Sequence, residues 1–167
     1  MDGKLIVSSS PHISSPVKTK NIMLDVIIAL IPSLGASIYF FGPRAAVVVI
    51  ASVATCVIAE YICRKVMKRE QTIGDLSAVV TGILLAFNLP SSVPIYVPII
   101  GGLVAIVMVK QMFGGLGQNF VNPALLARII LMNSFPVLMT TWYPAGGFGA
   151  DTTATASPLA NIATGQL

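Results

Sequence analysis

Long apolar runs separated by short polar segments dominate this sequence. Residues 22–41 form a run of twenty whose single acidic residue, Asp25, lies near its start. About twenty apolar residues can cross a hydrocarbon core of about 30 Å, so this run predicts a first transmembrane helix with a kink at Pro32. After a tight turn at residues 42–44, residues 45–63 predict a second span antiparallel to the first.

Three further apolar segments are shorter. Residues 76–89 number fourteen and contain Gly82, which fits a re-entrant or broken helix and fits equally a span extended by its polar ends. Residues 95–109 form a fourth segment, in which Gly101–Gly102 permits close helix contact, and residues 124–139 form a fifth. The predicted fold class is all-α, a polytopic membrane helix bundle of about five transmembrane segments. Because five crossings would end in an exported tail, an unusual place for a chain to stop, we expect this sequence to be the N-terminal half of a longer protein.

The composition agrees with a membrane protein. Of the 167 residues, 55% are hydrophobic and 10% are charged, which is more apolar surface than a soluble domain of this size can bury. The net charge of +4 is spread over short basic clusters between apolar runs, without the interleaved aromatic residues of a nucleic-acid interface. The lipid bilayer is therefore an expected partner, and nucleic acid is not.

Basic residues flank the apolar runs unequally. Three lie in residues 1–20 and four in residues 64–75, whereas Arg44 lies on the opposite side and residues 140–167 contain none. Because cytoplasmic loops are enriched in Lys and Arg, we expect a multi-pass membrane protein with residues 1–20 as a cytoplasmic leader. Residues 21–139 are then the transmembrane domain, and residues 140–167 form an outward-facing loop.

Charged residues near the ends of the spans are candidates for chemistry, since ionisable groups inside a membrane usually mark a pathway or a partner. Asp25 and Glu60 are the candidates for an ion path. Glu60 precedes Arg64 by four residues, so an ordinary i,i+4 surface pair that anchors the helix is favoured for Glu60. Arg128 is predicted to snorkel toward the cytoplasm rather than to pair with an acid or a cofactor phosphate. Asp75 is predicted to cap the third helix.

The two cysteines, Cys56 and Cys63, lie in one apolar run. Seven positions on a helix separate them by roughly 10 Å, which is too far for a disulfide between them. The sequence contains no cysteine and histidine cluster of the kind that binds a metal, so buried packing thiols are favoured over cluster ligands.

A glycine-rich segment at residues 114–124, GGLGQNFVNPA, interrupts the membrane pattern. Its glycines allow backbone conformations and close approaches that side chains would block, and an asparagine followed by a proline is typical of a helix start. We interpret it as a preorganised cytoplasmic loop at the inner end of an electron or ion path, or as a docking surface for a partner subunit. The loop residues concerned are Gly114, Gly115, Gly117, Gln118, Asn119, Asn122 and Pro123.

Four motifs in order resemble a known family of membrane flavoproteins. Residues 10–13 (SPHI), 75–82 (DLSAVVTG), 88–90 (NLP) and 114–124 together resemble the D subunits of Rnf complexes and the related B subunits of sodium-pumping NADH:quinone oxidoreductases. The short leader favours the Rnf family. His12 in the first motif is open between an isolated surface histidine and part of an ordered segment that contacts the cytoplasmic loops or another subunit.

This resemblance implies a membrane electron carrier. Rnf complexes pass electrons between ferredoxin and NAD and couple this transfer to export of sodium ions or protons. The D subunits of the family carry FMN joined through its phosphate to a hydroxyl residue, in a motif of the form Asp-x-x-(Ser/Thr)-Gly-Ala-Thr that is commonly followed by Pro-Leu. A second, non-covalent flavin such as riboflavin is also compatible with the family. The implied partners are the other membrane and peripheral subunits and a flavin transferase.

Residues 151–159 (DTTATASPL) correspond to the FMN motif. The correspondence makes Ser157 the implied acceptor, although serine replaces the usual threonine there. Thr155 stands where glycine is usual and is the alternative acceptor, and Ala154 replaces a hydroxyl residue. The residues that match the motif are Asp151, Ala156, Pro158 and Leu159.

Two functions of other classes stay open beside electron transfer. One is an ion or solute transporter without redox chemistry, because broken helices and glycine-rich loops can coordinate an ion directly. The other is a structural membrane subunit that only holds its partners together.

Overall fold

A computed structural model describes residues 18–142, and the regular secondary structure in this range is helical. The predicted all-α membrane bundle is therefore confirmed. The helices are α1 (Thr19–Phe41), α2 (Pro43–Val66), a 3-10 turn (Ile73–Asp75), α3 (Ser77–Phe87), α4 (Tyr96–Leu103) continued by a π-helix (Val104–Gln111), α5 (Pro123–Ser134) and α6 (Pro136–Thr140).

The first two helices are long enough to cross a membrane. α1 has 23 residues and α2 has 24, and both are strongly apolar. They are joined at Gly42, whose φ of +80° allows the reversal, and Pro43 then occupies the first turn of α2. No residue of α1 is buried within the described part of the chain. Its large apolar side chains, such as Ile28 and Ile31, are exposed and suit lipid or a further membrane segment.

The third crossing is a broken helix, which decides between the two structures compatible with the sequence of residues 76–89. α3 has 11 residues and is about 16 Å long. A buried, non-helical segment follows it, with Leu89, Pro90 and Val93 in the core. At the end of this segment the carbonyl oxygen of Ser92 accepts a hydrogen bond of 3.2 Å from Arg44. The chain therefore completes the crossing without helix.

Contacts at the two ends of α2 show which segments of the chain lie at each end of the bundle. Arg44 and Arg64 are twenty positions apart on α2, which separates them by about 30 Å. Ser92 Oγ donates to the carbonyl oxygen of Thr141 at 2.7 Å, so Thr141, the residue that follows α6, is at the Arg44 end. The glycine-rich loop packs on Arg64 at the other end. The loop and the last described residues, 141 and 142, thus lie at opposite ends of the bundle, and which end faces the cytoplasm stays a prediction.

Small residues allow the central helices to pack closely. A Cβ on Gly82 of α3 would lie 2.6 Å from the Cα of Val53, and Ser52 Oγ donates to the Gly82 carbonyl at 2.9 Å. A Cβ on Gly101 would lie 2.7 Å from Leu131 Cδ1. Gly102 faces Thr55 in the same way, with 3.1 Å to its methyl group. The predicted close helix contact at Gly101 and Gly102 is confirmed.

The predicted cap of α3 by Asp75 is wrong. α3 begins at Ser77, and Leu76 occupies the N-cap position with φ +60° and no side-chain hydrogen bond. Asp75 belongs instead to the preceding 3-10 turn. Because the helix begins one residue later than a cap at Asp75 requires, the Asp75 carboxylate lies one position too early to reach the free amides.

Candidate functional site

A buried ion pair links three elements at the Arg64 end of the bundle. Both carboxylate oxygens of Glu60 accept from Lys110 Nζ at 2.9 Å, and Lys110 Nζ also donates to Ser77 Oγ at 2.7 Å. Glu60 Oε1 accepts in addition from Thr72 Oγ1 and from Gln111 Nε2, each at 3.0 Å. Glu60 and Gln111 are 0% exposed and Lys110 is 1% exposed. These five residues are called the Glu60 cluster below.

The helical geometry explains how adjacent residues reach the same carboxylate. Glu60 comes from α2, Thr72 directly precedes the 3-10 turn, and Ser77 is the first residue of α3. Lys110 and Gln111 come from the end of the π-helix. The wider i→i+5 turn of a π-helix reduces the angle between consecutive side chains compared with an α-helix. Lys110 and Gln111 can therefore both face inward, and such π segments are frequent at functional sites.

The predicted surface pair of Glu60 with Arg64 is wrong. Glu60 is wholly buried and forms its salt bridge with Lys110, and no salt bridge to Arg64 occurs in the part of the chain that the structure describes. Arg64 instead donates to the carbonyl oxygen of Glu70 at 3.1 Å. The side of α2 that carries Glu60 packs against α3 and the π-helix. The carboxylate is therefore buried there and pairs with Lys110 rather than with a group at the surface.

The sequence analysis does not identify the other four residues of the Glu60 cluster as site residues: Thr72, Ser77, Lys110 and Gln111. In the hydrophobic pattern, Lys110 is only the polar end of an apolar run. One further signal is present in the sequence. Glu60 and Lys110, which are fifty positions apart, each lie at the C-terminal end of an apolar run. Buried charges are paired, so two such residues of opposite charge are candidates for each other.

The glycine-rich loop has the backbone that its composition predicts. Gly114, Gly115 and Gly117 have φ values of +116°, +107° and +85°, a region that favours glycine. Asn122 caps α5 by accepting from Ala124 N at 3.0 Å, and Pro123 opens the helix. The predicted helix start is confirmed, and the role of the loop stays a prediction.

The loop rests directly on the Glu60 cluster. Gly115 N donates to the Lys110 carbonyl at 2.9 Å, and a Cβ on Gly115 would lie 2.5 Å from Arg64 Nη2. When the amide of Asn119 is assigned with its nitrogen facing the carbonyls of Val109 and Gly115, the assignment that gives both amide atoms suitable partners, it donates to them at 3.1 and 3.2 Å. Loop and ion pair are thus one connected network.

Replacing Gly115 by alanine tests this connection. We expect Gly115→Ala to lower the free energy of unfolding by about 1–3 kcal/mol, because a Cβ disfavours positive φ and displaces the Arg64 guanidinium. Gly74→Ala is the matched control, since Gly74 has open space around it. Thermal unfolding of the full-length protein in detergent measures both. Equal effects of the two substitutions would show that the loop conformation is not required.

Two cavities border these elements. A cleft of about 450 Å³ lies between α1, the start of α3 and the glycine-rich loop, with Ser77, Thr81 and Asn119 among its polar lining residues. A second cavity of about 290 Å³ lies at the Arg44 end. Its lining is mostly apolar and aromatic, with three serine hydroxyls, and comprises Ser33, Ala36, Ser37, Phe40, Phe41, Ala45, Val48, Val49, Ala86, Phe87, Leu89, Ser91 and Trp142.

The remaining predicted charges lie apart from the cluster. Asp25 is exposed on α1. Arg128 Nη1 donates to Asn88 Oδ1 at 2.9 Å, and Asn88 follows the last residue of α3, far from the glycine-rich loop. Arg128 therefore pairs away from the glycine-rich loop, the end predicted to be cytoplasmic, and its guanidinium does not snorkel toward that end. The amide of Asn88 and the electronegative C-terminus of α3 attract the guanidinium in the other direction.

Several predicted residues lie outside the described range. They are His12 in the leader and the FMN-motif residues Asp151, Thr155, Ala156, Ser157, Pro158 and Leu159. Inside the range, Cys56 and Cys63 are free thiols, as their spacing predicts. Residues 18–142 contain no group of three or more His, Cys, Asp or Glu side chains that could hold a metal ion.

Comparison with known proteins extends beyond the described residues. The sequence model of the NQR2, RnfD, RnfE family matches residues 6–166. The chain is 48% identical over 164 residues to the D subunit of the Na(+)-translocating ferredoxin:NAD(+) oxidoreductase complex of Acetobacterium woodii, covering 97% of this chain and 50% of the relative. It is 42% identical over 153 residues to the D subunit of the proton-translocating ferredoxin:NAD(+) oxidoreductase complex of Clostridium ljungdahlii, covering 92% and 46%.

A third relative agrees with these two. The D subunit of the ion-translocating oxidoreductase complex of Shewanella amazonensis is 44% identical over 138 residues, covering 81% of this chain and 40% of the relative. The chain spans about half the length, or less, of these curated relatives.

Proposed function

Since the chain belongs to the NQR2, RnfD, RnfE family, we propose that it serves as a membrane electron-transfer subunit of an ion-translocating ferredoxin:NAD oxidoreductase complex. The observation that carries this proposal is the match along nearly the whole chain to relatives named as D subunits of such complexes. The apolar α1 and α2 suit a protein embedded in the inner membrane. Other subunits of the complex are its proposed partners.

We further propose that Ser157 carries FMN through a phosphoester. The motif at residues 151–159 supports this assignment, and a flavin transferase would form the bond. When bound, the flavin supplies one- and two-electron redox chemistry, while the protein sets its position and potential. Residues 140–167 contain no Lys or Arg, so this segment itself would offer the phosphate backbone amides and hydroxyl groups rather than basic side chains.

The cavity at the Arg44 end is the site that we propose for an aromatic ring system. Its volume of about 290 Å³ is near the lower limit of small-ligand sites, about 300–1,000 Å³. Phe40, Phe87 and Trp142 offer stacking surfaces, and serine hydroxyls line the same cavity. Trp142, which lines the cavity, precedes Ser157 by fifteen positions. A chain extends by about 3.3 Å per residue, so the connection is long enough for a flavin on Ser157 to reach the cavity.

In-gel flavin fluorescence tests the attachment site. The full-length protein is produced together with the flavin transferase, as wild type, as Ser157→Ala and as Thr155→Ala. We expect fluorescence in wild type and in Thr155→Ala, and complete loss in Ser157→Ala, because alanine lacks the hydroxyl that forms the ester. Loss in Thr155→Ala alone would move the site to Thr155. A band without flavin in all three forms would remove the redox role from this part of the protein.

For the ion path, the geometry favours Glu60 over Asp25. Glu60 is wholly buried among polar groups from three elements, whereas Asp25 is exposed on α1. An ionisable group that is kept at depth and held by several partners is the more typical pathway residue. We therefore propose Glu60 as the residue of this chain that handles the coupling ion.

A further inference from the structure

The ammonium group of Lys110 has the surroundings of a bound cation. Three oxygens contact Nζ: the two carboxylate oxygens of Glu60 at 2.9 Å and Ser77 Oγ at 2.7 Å. They come from α2 and α3, whereas the lysine comes from the π-helix. The lysine side chain thus places a positive charge into a ready set of oxygen atoms on neighbouring helices.

Two further side chains donate hydrogen bonds to the Glu60 carboxylate. Thr72 Oγ1 is 3.0 Å from Glu60 Oε1. Gln111 Nε2 is bonded to the same carboxylate oxygen, and Gln111 Oε1 is buried without a hydrogen-bond partner in the described part of the chain. A buried acceptor without a partner is unusual and calls for an explanation. Carboxylate, hydroxyl and amide oxygens are the ligands that hard cations prefer.

We propose that Glu60 and Ser77 form an alkali-cation site and that the Lys110 ammonium occupies it as a tethered competitor. This inference rests on the proposed role of Glu60 and is independent of the flavin. A buried carboxylate needs a compensating positive charge, and two cations at one carboxylate repel each other. Sodium and Lys110 therefore bind Glu60 alternately, and Lys110 acts as a positioning residue that controls when the site is free.

Removing the tethered charge should make the protein depend on free sodium. We compare thermal unfolding of full-length Lys110→Met and wild type in sodium chloride and in choline chloride of equal ionic strength. For Lys110→Met we expect sodium to raise the melting temperature by about 4 °C or more, since a cation that binds only the folded state stabilises it. For wild type we expect a change of about 1 °C or less, because the lysine already fills the site.

A double variant and a second uncharged replacement of Lys110 complete the test. Glu60→Gln combined with Lys110→Met should show no sodium effect, because the carboxylate is gone. If Lys110→Met is too unstable to purify, Lys110→Gln is measured in its place. The proposal is overturned if the single variants melt equally in both salts, if wild type shows the same sodium effect, or if neither single variant folds in sodium. Flavin fluorescence of these proteins reports separately on the proposed function.

Discussion

Replacing Glu60 by glutamine is expected to lower the free energy of unfolding by about 3–5 kcal/mol, the usual cost of removing one partner of a buried ion pair. The substitution keeps the shape of the side chain and removes its charge. Lys110, which is 1% exposed, is then left with a positive charge and no counter-charge within the cluster. Chemical or thermal denaturation of the full-length protein in detergent measures the loss.

The same substitution at Glu70 is the matched control. Glu70 is exposed, and it accepts from Arg64 through its backbone carbonyl rather than its carboxylate. Glu70→Gln should therefore change the free energy of unfolding by about 0.5 kcal/mol or less. Similar effects of the two substitutions would mean that Glu60 is hydrated in solution, contrary to the structure.

Gly82→Ala is expected to be the second large effect, with a loss of about 2–3 kcal/mol from overpacking. The added Cβ would lie 2.6 Å from the Cα of Val53, so α2 and α3 must separate because no side-chain rotation relieves a clash with backbone. The hydrogen bond from Ser52 Oγ to the Gly82 carbonyl, 2.9 Å long, would weaken as the helices move apart.

Gly35→Ala is the matched control for this prediction. Gly35 lies inside α1 with open space around it, and alanine favours a helix by about 1 kcal/mol relative to glycine. We expect no loss of stability, or a small gain, by thermal unfolding of the same preparation. A comparable loss at Gly35 would show that both substitutions act through something other than the contact between α2 and α3.

Features with a local cause could be predicted from the sequence. The lengths and compositions of residues 22–41 and 45–63 predict α1 and α2, since a span depends on consecutive apolar residues. The cap at Asn122 depends on a hydrogen bond to a residue two positions away, and the turn glycines depend on their own φ values. Each of these features is decided within one continuous segment of the chain.

Features that depend on residues far apart in the sequence could not be predicted from it. Glu60 and Lys110 are fifty positions apart, and the i,i+4 rule favours Arg64 because nothing in the local sequence shows which side of α2 is buried. The pairing of Arg128 with Asn88 spans forty positions and escapes prediction for the same reason. In each case the charged side chain pairs with a residue that is distant in the sequence, whereas the local pattern predicts that it lies at the membrane surface.

Broken helices lie between these extremes. The short α3 is one of two structures compatible with its sequence, and its ending depends on Asn88 and the prolines that follow. The break between α5 and α6 occurs at Phe135, just before Pro136. Proline disfavours helical geometry in the residue that precedes it, so this local signal is present in the sequence. The π-helix at residues 104–111 has no comparable signal.

Mass spectrometry of the peptide that contains residues 151–159 tests the central claim most directly. The full-length protein is purified after production with the flavin transferase, digested and fragmented, so that any modification is assigned to one residue. The proposed function predicts one FMN, joined through its phosphate, on Ser157. A peptide recovered only in unmodified form, in a preparation whose flavin transferase modifies a known acceptor protein, would contradict it.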